Sequence, residues 1–345
     1  MRIVQVMLAE GFGGAERYFV DLSLALARRG HEVLAVCHPH FRQRRLLAGV
    51  PNLTVKLVHA WGSWDWFAVR SLRKTIGAFA PAVLHTHLAR ATHLAGRAAS
   101  GVPLIVKTHN LVDLKYYRHV DRFISTTNAQ RDHLLRHGVD EASIQVIPNF
   151  SAARVVAIDG RPAHLPPVVV AYGRLVAKKG FDVLLRAFRK LRDEGHRDIR
   201  LLIGGDGPEL PHLRALAADL GLLDGIAFAG WIDDVGEFLA RGDVFALPSR
   251  DEPFGIAVLE AMAAGCPIVA TRTAGPLEIL DEATAWLVSI GTVDELAAAL
   301  RQALADAELR QERARLAQRC FVERYSEAAV VPRIEALYAQ LAGRR

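Results

Sequence analysis

Residues Asp251 to Thr271 read DEPFGIAVLEAMAAGCPIVAT, and the rest of the chain is best understood outward from them. Asp251, Glu252, Pro253 and Gly255 are loop chemistry. Ile256 to Ala264 is a run of helix formers without a breaker. Gly265 suits the position just past a helix end, and Pro267 stops any continuation. Ile268, Val269 and Ala270 make a short apolar strand. Two carboxylates punctuate this loop–helix–strand: Glu252 in the loop, and Glu260 about one turn inside the helix, with seven residues between them. Val258, Leu259, Ala261 and Met262 flank Glu260, and a carboxylate on so apolar a helix requires a partner. The backbone N–H groups of Phe254, Gly255 and Ile256 fall where a helix N-terminus is free to donate. Acceptors at both ends with donors between them suit a sugar or a ribose, and the helix end favours phosphate. The plainer alternative makes Glu252 a helix cap and Glu260 a solvated residue.

Outward from this stretch the chain alternates strand and helix twice over. The first half reads as strands at Met1–Leu8, His31–Cys37, Leu53–Val58, Ala82–His87, Leu104–Thr108, Arg122–Thr126 and Ile144–Ile147, with helical patterns between most of them. Ser151 to Pro167 lacks periodicity and holds three prolines, so a domain linker is expected there. The alternation restarts with Val168–Tyr172, a loop Gly173–Gly180 and a helix Phe181–Asp193. Strands Ile199–Gly204, Ile226–Ala229, Val244–Leu247 and Trp286–Val288 follow, and helices run from Val293 to the end. This is the pattern of α/β domains built on doubly wound parallel sheets.

The 345 residues suffice for two domains, and a 51% hydrophobic content supports a sizeable core in each. No apolar run approaches the ~20 residues of a membrane span. Met1 to Leu8 meets Glu10 and a glycine loop at once, so it reads as a first strand and not a signal peptide. Cys37, Cys266 and Cys320 are unpaired in spacing, which points to a reducing, cytoplasmic compartment and to no metal site. The net charge of +6 is uneven: residues 1–160 carry 20 Lys+Arg against 11 Asp+Glu, the remainder 23 against 26. Eleven of the fourteen histidines also lie in the first half. A basic half beside a slightly acidic one implies two tasks, the basic surface facing anionic lipid, an acidic acceptor or nucleic acid. No nucleic-acid recognition motif accompanies it.

Gly11, Gly13 and Gly14 fall short of a dinucleotide fingerprint because Glu16 stands where its third glycine belongs. Gly204-Gly-Asp-Gly207 lacks the ending of a phosphate-binding P-loop. The stretch Tyr172-Gly-Arg174-Leu-Val-Ala-Lys178-Lys179-Gly180 is more informative. It follows a strand and opens a helix, which places Arg174 and Lys179 where open α/β sheets bind ligands. A guanidinium fork and a mobile ammonium there would neutralise a diphosphate.

Together, E-P-F-G-I-A-V-L-E with A-M-A-A-G-C-P-I-V-A-T and G-R-L-x-x-x-K-G closely resemble the motifs of retaining GT-B glycosyltransferases of family four. The resemblance implies two Rossmann-like domains facing across a cleft: 1–155 on the acceptor side, 156–324 binding the nucleotide-sugar, and 325–345 a terminal helix crossing back to the first. It implies that Arg174 and Lys179 bind the donor diphosphate, and Lys178 is expected to be exposed. Glu252 would hold the sugar hydroxyls, the amides of Phe254, Gly255 and Ile256 the sugar and phosphate, and Glu260 the ribose. Gly205 and Asp206 would lie near the nucleotide, and Gly13 and Gly14 would face the donor phosphate. His109 would sit at the reacting centre, with His85 and His87 as further candidates. The absence of an Asp-x-Asp triplet agrees with transfer that needs no metal or other cofactor. Ile147-Pro-Asn149-Phe-Ser departs from the family's I-P-N-G-V-D after Asn149. The expected partners are a UDP- or GDP-sugar donor and a glycan or lipid-linked acceptor of the cell envelope or lipopolysaccharide, without nucleic acid. Trp61, Trp64, Trp66 and Phe67 ahead of Arg70, Arg73 and Lys74, with Arg42, Arg44 and Arg45, suit peripheral contact with an anionic membrane or a stacked acceptor sugar. They equally suit core aromatics beside a solvated helix face. A sugar-nucleotide epimerase of similar fold and a non-catalytic sugar-nucleotide-binding protein are the alternative functions.

Overall fold

The computed structural model describes residues 1–11, 13–99, 101–158 and 164–343. The chain forms two compact units, Met1–Ser151 with Glu327–Arg345, and Ala152–Ser326.

The first unit is built on strands β1 Arg2–Met7, β2 Glu32–Cys37, β3 Leu53–Leu57, β4 Val83–His87, β5 Leu104–Thr108, β6 Arg122–Ser125 and β7 Ile144–Val146. All pair in parallel, in the order β3-β2-β1-β4-β5-β6-β7. Helices α1 Gly14–Arg28, α2 Trp66–Phe79, α3 Leu88–Ala98 and α4 Asn128–Arg136 supply crossovers. Strand side chains alternate between faces. Ile3 and Met7 pack with Tyr18, Phe19 and Leu22 of α1, whereas Val4 and Val6 pack with Leu72 and Ile76 of α2 and Leu94 of α3. Gln5 therefore shares the α1 face, where the buried His85 and His87 of neighbouring β4 lie beside it.

The second unit repeats the plan with β8 Val168–Tyr172, β9 Arg200–Gly204, β10 Ile226–Gly230, β11 Val244–Leu247, β12 Ile268–Thr271 and β13 Trp286–Val288. These six parallel strands lie in the order β10-β9-β8-β11-β12-β13. The helices are α5 Phe181–Asp193, α6 Leu210–Asp219, α7 Val235–Ala240, α8 Ile256–Ala263, α9 Ala274–Ile279, α10 Val293–Ala305 and α11 Ala307–Cys320. Val169, Ala171, Leu201 and Val244 pack with α5 and α10, and Val170, Phe245 and Ile268 with α7 and α8. Both faces are covered, as all-parallel sheets require.

Past a π turn at Phe321–Tyr325, the last helix, α12 Glu327–Ala342, is part of the first unit. Its Val330, Val331, Ile334, Leu337, Tyr338 and Leu341 join the core beneath α1. Arg28 pairs with Glu327 at 2.6 Å and Arg29 with Glu335 at 2.8 Å along its edge. The units divide four residues before the expected boundary at 155. Val156 N–H donates to Ala263 O at 3.0 Å, and Gln318 Nε2 donates to Val156 O at 2.8 Å. The stretch after Ser151 is thus tied to the second unit instead of running free; residues 159–163 of the expected linker lie outside the described residues.

Candidate active site

In each sheet the strand order reverses once, between β1 and β4 and between β8 and β11. Ligands of open α/β sheets bind beyond the carboxyl ends of the strands at such a point. In the second unit the loops that emerge there are Gly173–Gly180 after β8 and Pro248–Gly255 after β11. Glycines let the loops approach closely. A Cβ on Gly180, at φ +66°, would stand 2.1 Å from Pro248 O, and one on Gly205, at φ +117°, would stand 1.9 Å from Gly173 O. Leu175 N–H donates to Asp206 O at 2.9 Å, and Arg250 N–H donates to Lys178 O at 2.7 Å. Three loops are thereby laced by their backbones.

On this frame one pair of the expected ligand-binding residues meets directly. Lys179 Nζ lies 2.5 Å from Glu252 Oε2, with both side chains mostly buried. Tyr172, at the end of β8, donates its hydroxyl proton to Glu260 Oε2 over 2.5 Å. Glu260 is 8% exposed, so the partner its apolar helix demands is this phenol, which sequence reasoning left out of the site. Its position, one residue before the G-R-L motif, was the available signal. Glu252 is also 8% exposed, and it is no helix cap, since Gly255 stands at the N-cap of α8 and no side chain bonds there. Gly255, at φ +101°, turns the chain into α8, and among the described residues the N–H groups of Phe254, Gly255 and Ile256 find no backbone acceptor. Arg174 is exposed, with no ion pair among the described residues. Lys178 is exposed and pairs with Asp251 at 3.2 Å. Asp206 turns its carboxylate to its neighbour's N–H, Gly207, at 2.7 Å. The second unit thus offers a held cation, a second cation in solvent, open amides and two carboxylates on short hydrogen bonds.

In the first unit Gly13 caps α1 and Gly14 begins it. The carboxylate of Glu16 folds back onto this turn: an added Cβ would lie 3.3 Å from Glu16 Oε1 at Gly11 and 3.0 Å from Oε2 at Gly13. The helix N-terminus expected to face a phosphate therefore already has a carboxylate beside it. Phe12 lies outside the described residues. His109 follows β5 and reaches His87, the last residue of β4, with Nε2 3.2 Å from His87 Nδ1. His87 Nε2 lies 2.8 Å from Gln5 Oε1, and His85 Nδ1 lies 2.5 Å from the hydroxyl of Tyr338. Burial pushes all three imidazoles down, His87 to about 3, so each is neutral. Fully buried Lys107 is pushed down by the same desolvation; it donates to Ile147 O at 2.6 Å and lies over the Tyr18 ring. Phe150, where the family pattern has glycine, is core: its ring meets Tyr18 edge-on at 5.4 Å.

Two further groups stand out. Trp61 is 89% exposed, Trp64 and Phe67 72% and Trp66 59%, so these are not core aromatics. Asp65 organises them by capping α2 through Ala68 N–H while accepting from Trp61 N–H. Arg70, Arg73 and Lys74 are exposed on the same helix. Glu10, His38 and His40 bring ligand atoms within 4.8 Å of one another. However, His38 Nδ1 accepts the His40 N–H at 3.2 Å, which puts the ring proton on Nε2, toward Glu10. With Arg90 4.0 Å from the same carboxylate, Glu10 already faces a cation and a ring N–H, and the cluster is a poor cation site.

With this geometry in view, comparison with known proteins is informative. The family described as Glycosyl transferases group 1 matches residues 160–319, and Glycosyltransferase Family 4 matches residues 12–150. The chain is 33% identical over 323 residues to the lipopolysaccharide core biosynthesis glycosyltransferase LpsE of Rhizobium meliloti, covering 92% of this chain and 93% of that one. It is 30% identical to LpsD of the same organism, covering 92% of each. Among solved structures, Anabaena HepE in complex with UDP and glucose superposes with a TM-score of 0.84 at 20% identity, covering 98% of this chain and 99% of that one. Both Rossmann-like units thus find counterparts in a GT-B protein.

Proposed function

The chain belongs to the group 1 glycosyl transferases, and from that footing we propose that it moves a sugar from a UDP- or GDP-sugar to a glycan or lipid-linked acceptor, with retention and without a metal. The observation that carries this reading is the pair of short contacts at the second unit's switch point, Lys179 to Glu252 and Tyr172 to Glu260. An ammonium has three donors, so Lys179 can keep Glu252 and still give a proton to a diphosphate oxygen. Arg174 supplies the second cation, and the open amides before α8 supply neutral donors. Glu252 and Glu260 accept from sugar and ribose hydroxyls. In the reaction the acceptor oxygen bonds to the anomeric carbon as the bond to the diphosphate breaks. The acceptor proton passes to the leaving phosphate oxygen, and the two cations stabilise the charge that develops there. His109 touches the transferred sugar.

The Rhizobium relatives' part in lipopolysaccharide core biosynthesis supports an acceptor of that class. No described helix is long and apolar enough to cross a membrane. The exposed aromatics 61–67 with Arg70, Arg73 and Lys74 support peripheral docking on the anionic cytoplasmic leaflet. Vesicles rich in anionic lipid should co-sediment the protein while neutral ones leave it in solution; equal binding to both would remove the electrostatic part.

The test of the donor site is Lys179→Ala. Transfer should fall by roughly a thousandfold or more, and it should persist in EDTA for the wild type. Glu252, left buried and unpaired, should also cost stability of roughly 3 kcal/mol. Adding Glu252→Gln should restore stability without restoring transfer, which separates folding from chemistry. Near wild-type turnover in Lys179→Ala would refute the diphosphate assignment.

A further inference from the structure

The carboxyl end of the first sheet carries a chain of hydrogen bonds that donor binding does not explain. Gln5, His85 and His87 are all fully buried, and Gln5 and His85 meet Tyr338 from the last helix, 333 and 253 residues away in sequence. The bonds run in one direction. Gln5 Nε2 donates to the Tyr338 oxygen over 3.0 Å. With the Gln5 amide in this orientation the phenol gives its own proton to His85 Nδ1, 2.5 Å away, and the His85 Nε2–H at the other end of the network is buried without a partner among the described residues. Gln5 Oε1 faces His87 Nε2 at 2.8 Å, and a carbonyl oxygen only accepts, so Nε2 bears the His87 proton. A neutral imidazole has one N–H, which leaves His87 Nδ1 a bare lone pair. That lone pair faces His109 Nε2 at 3.2 Å, and the His109 proton is therefore on Nε2. His109 Nδ1 is the end of the line. It is buried, and among the described residues it has no partner. A buried acceptor with nothing to accept is costly, and its place beyond the ends of β4 and β5 asks for a donor from a ligand.

We propose that Gln5 and Tyr338, acting through His87, are positioning residues that hold His109 as its Nε2–H tautomer and so present the Nδ1 lone pair to a hydroxyl of the bound sugar. This rests on the reading above, in which His109 touches the transferred sugar. Tyr338 holds the Gln5 amide in place, the amide sets the His87 tautomer, and His87 sets that of His109. Turning the amide by 180° would reverse every bond and make His109 present an N–H instead. The carboxy-terminal helix thus has a task at the reaction centre besides covering the sheet.

Nitrogen-15 spectra of histidine-labelled protein, with His109 assigned by the His109→Asn variant, read the tautomer directly. The wild type should show His109 with its proton on Nε2. Gln5→Met, equal in volume but without hydrogen bonds, should turn this into a mixture of tautomers. Tyr338→Phe should do so to a smaller degree. Release of the sugar from whichever of UDP-glucose, UDP-galactose, UDP-N-acetylglucosamine and GDP-mannose the wild type hydrolyses should slow roughly tenfold in Gln5→Met, with KM within about twofold. A wild-type His109 protonated on Nδ1, or a tautomer unchanged in both variants, would overturn the proposal; the wild-type spectrum decides even if a variant does not fold. Full activity of His109→Ala would overturn the role of His109 in transfer. That is a separate failure, because the ring signals report the relay in an inactive protein too.

Discussion

At the scale of single residues, the first unit accepts buried imidazoles that have no acid beside them. Burial holds His87 at about 3, against an ordinary value of 6.5. An unfolded chain takes up a proton at that ring as the pH drops below about 6.5, whereas the folded chain refuses it until about 3. Between those values the unfolded state binds more protons, so stability falls with falling pH. For His87 alone the loss from pH 7 to pH 5 should be about 2 kcal/mol. His85 and His109 are shifted in the same direction and add to the loss. Urea unfolding of the first unit at the two pH values should show this difference, and His87→Gln should reduce it by about 2 kcal/mol. An undiminished difference in that variant would mean that His87 is not the buried neutral ring described here. Glu252 and Glu260 of the second unit differ from these rings in that each is buried with a donor already in hand, Lys179 or Tyr172.

At the scale of elements, the donor-side loops keep their shape because glycine backbones pass where side chains cannot. Gly205, at φ +117°, would drive a Cβ to 1.9 Å from Gly173 O, and no rotamer relieves a clash with backbone. Gly205→Ala should therefore cost on the order of 3 kcal/mol or more and weaken nucleotide binding through the displaced Gly173–Gly180 loop. Gly230 is the control. It too has positive φ, +71°, but a Cβ there meets nothing within 4 Å. Gly230→Ala should cost only about 1 kcal/mol, with binding unchanged. Equal losses in the two variants, by thermal melting and UDP titration, would show that backbone strain and not loop packing is what these glycines relieve. The elements themselves were largely legible in the residues. Val168–Tyr172, Phe181–Asp193, Leu104–Thr108 and Trp286–Val288 fall where periodicity and breakers place them. The Glu252 and Glu260 pair was legible too, because two acids bracketing an apolar helix conflict with propensity unless each has a partner. Their partners were less so: the motif placed Lys179 at a diphosphate and not on Glu252, while Tyr172 reads locally as the end of a strand.

At the scale of the whole molecule, what could not be read was long-range order. Alternation along the chain implies parallel sheets, yet which strands are neighbours depends on packing that no local pattern records. Gln5 looks like an accident inside strand β1 until α12 brings Tyr338 to it. The exposed tryptophans read equally well as core until Asp65 is seen to hold their loop outward. The largest consequence of this long-range order, which the family resemblance implied and no local pattern records, is that the first unit is discontinuous in sequence, closed by Glu327–Arg345. Six side chains of α12, Val330, Val331, Ile334, Leu337, Tyr338 and Leu341, are buried in the same core as α1. Each contributes about 1.5–3 kcal/mol of burial, and together they are worth on the order of 10 kcal/mol, as much as the whole stability of a typical domain. A chain ending at Ser326 should therefore lose the fold of its first unit and keep that of its second, which has its own complete core. Hydrogen exchange should show protection surviving in β8–β13 and lost in β1–β7, and UDP should still bind through Arg174, Lys179 and Glu260 while transfer disappears. Protected amides throughout β1–β5 in the shortened chain would mean that α1 suffices to cover the sheet. In that case Tyr338 could be removed without disturbing the unit, and its bond to His85 and Gln5 would be the reason the helix returns.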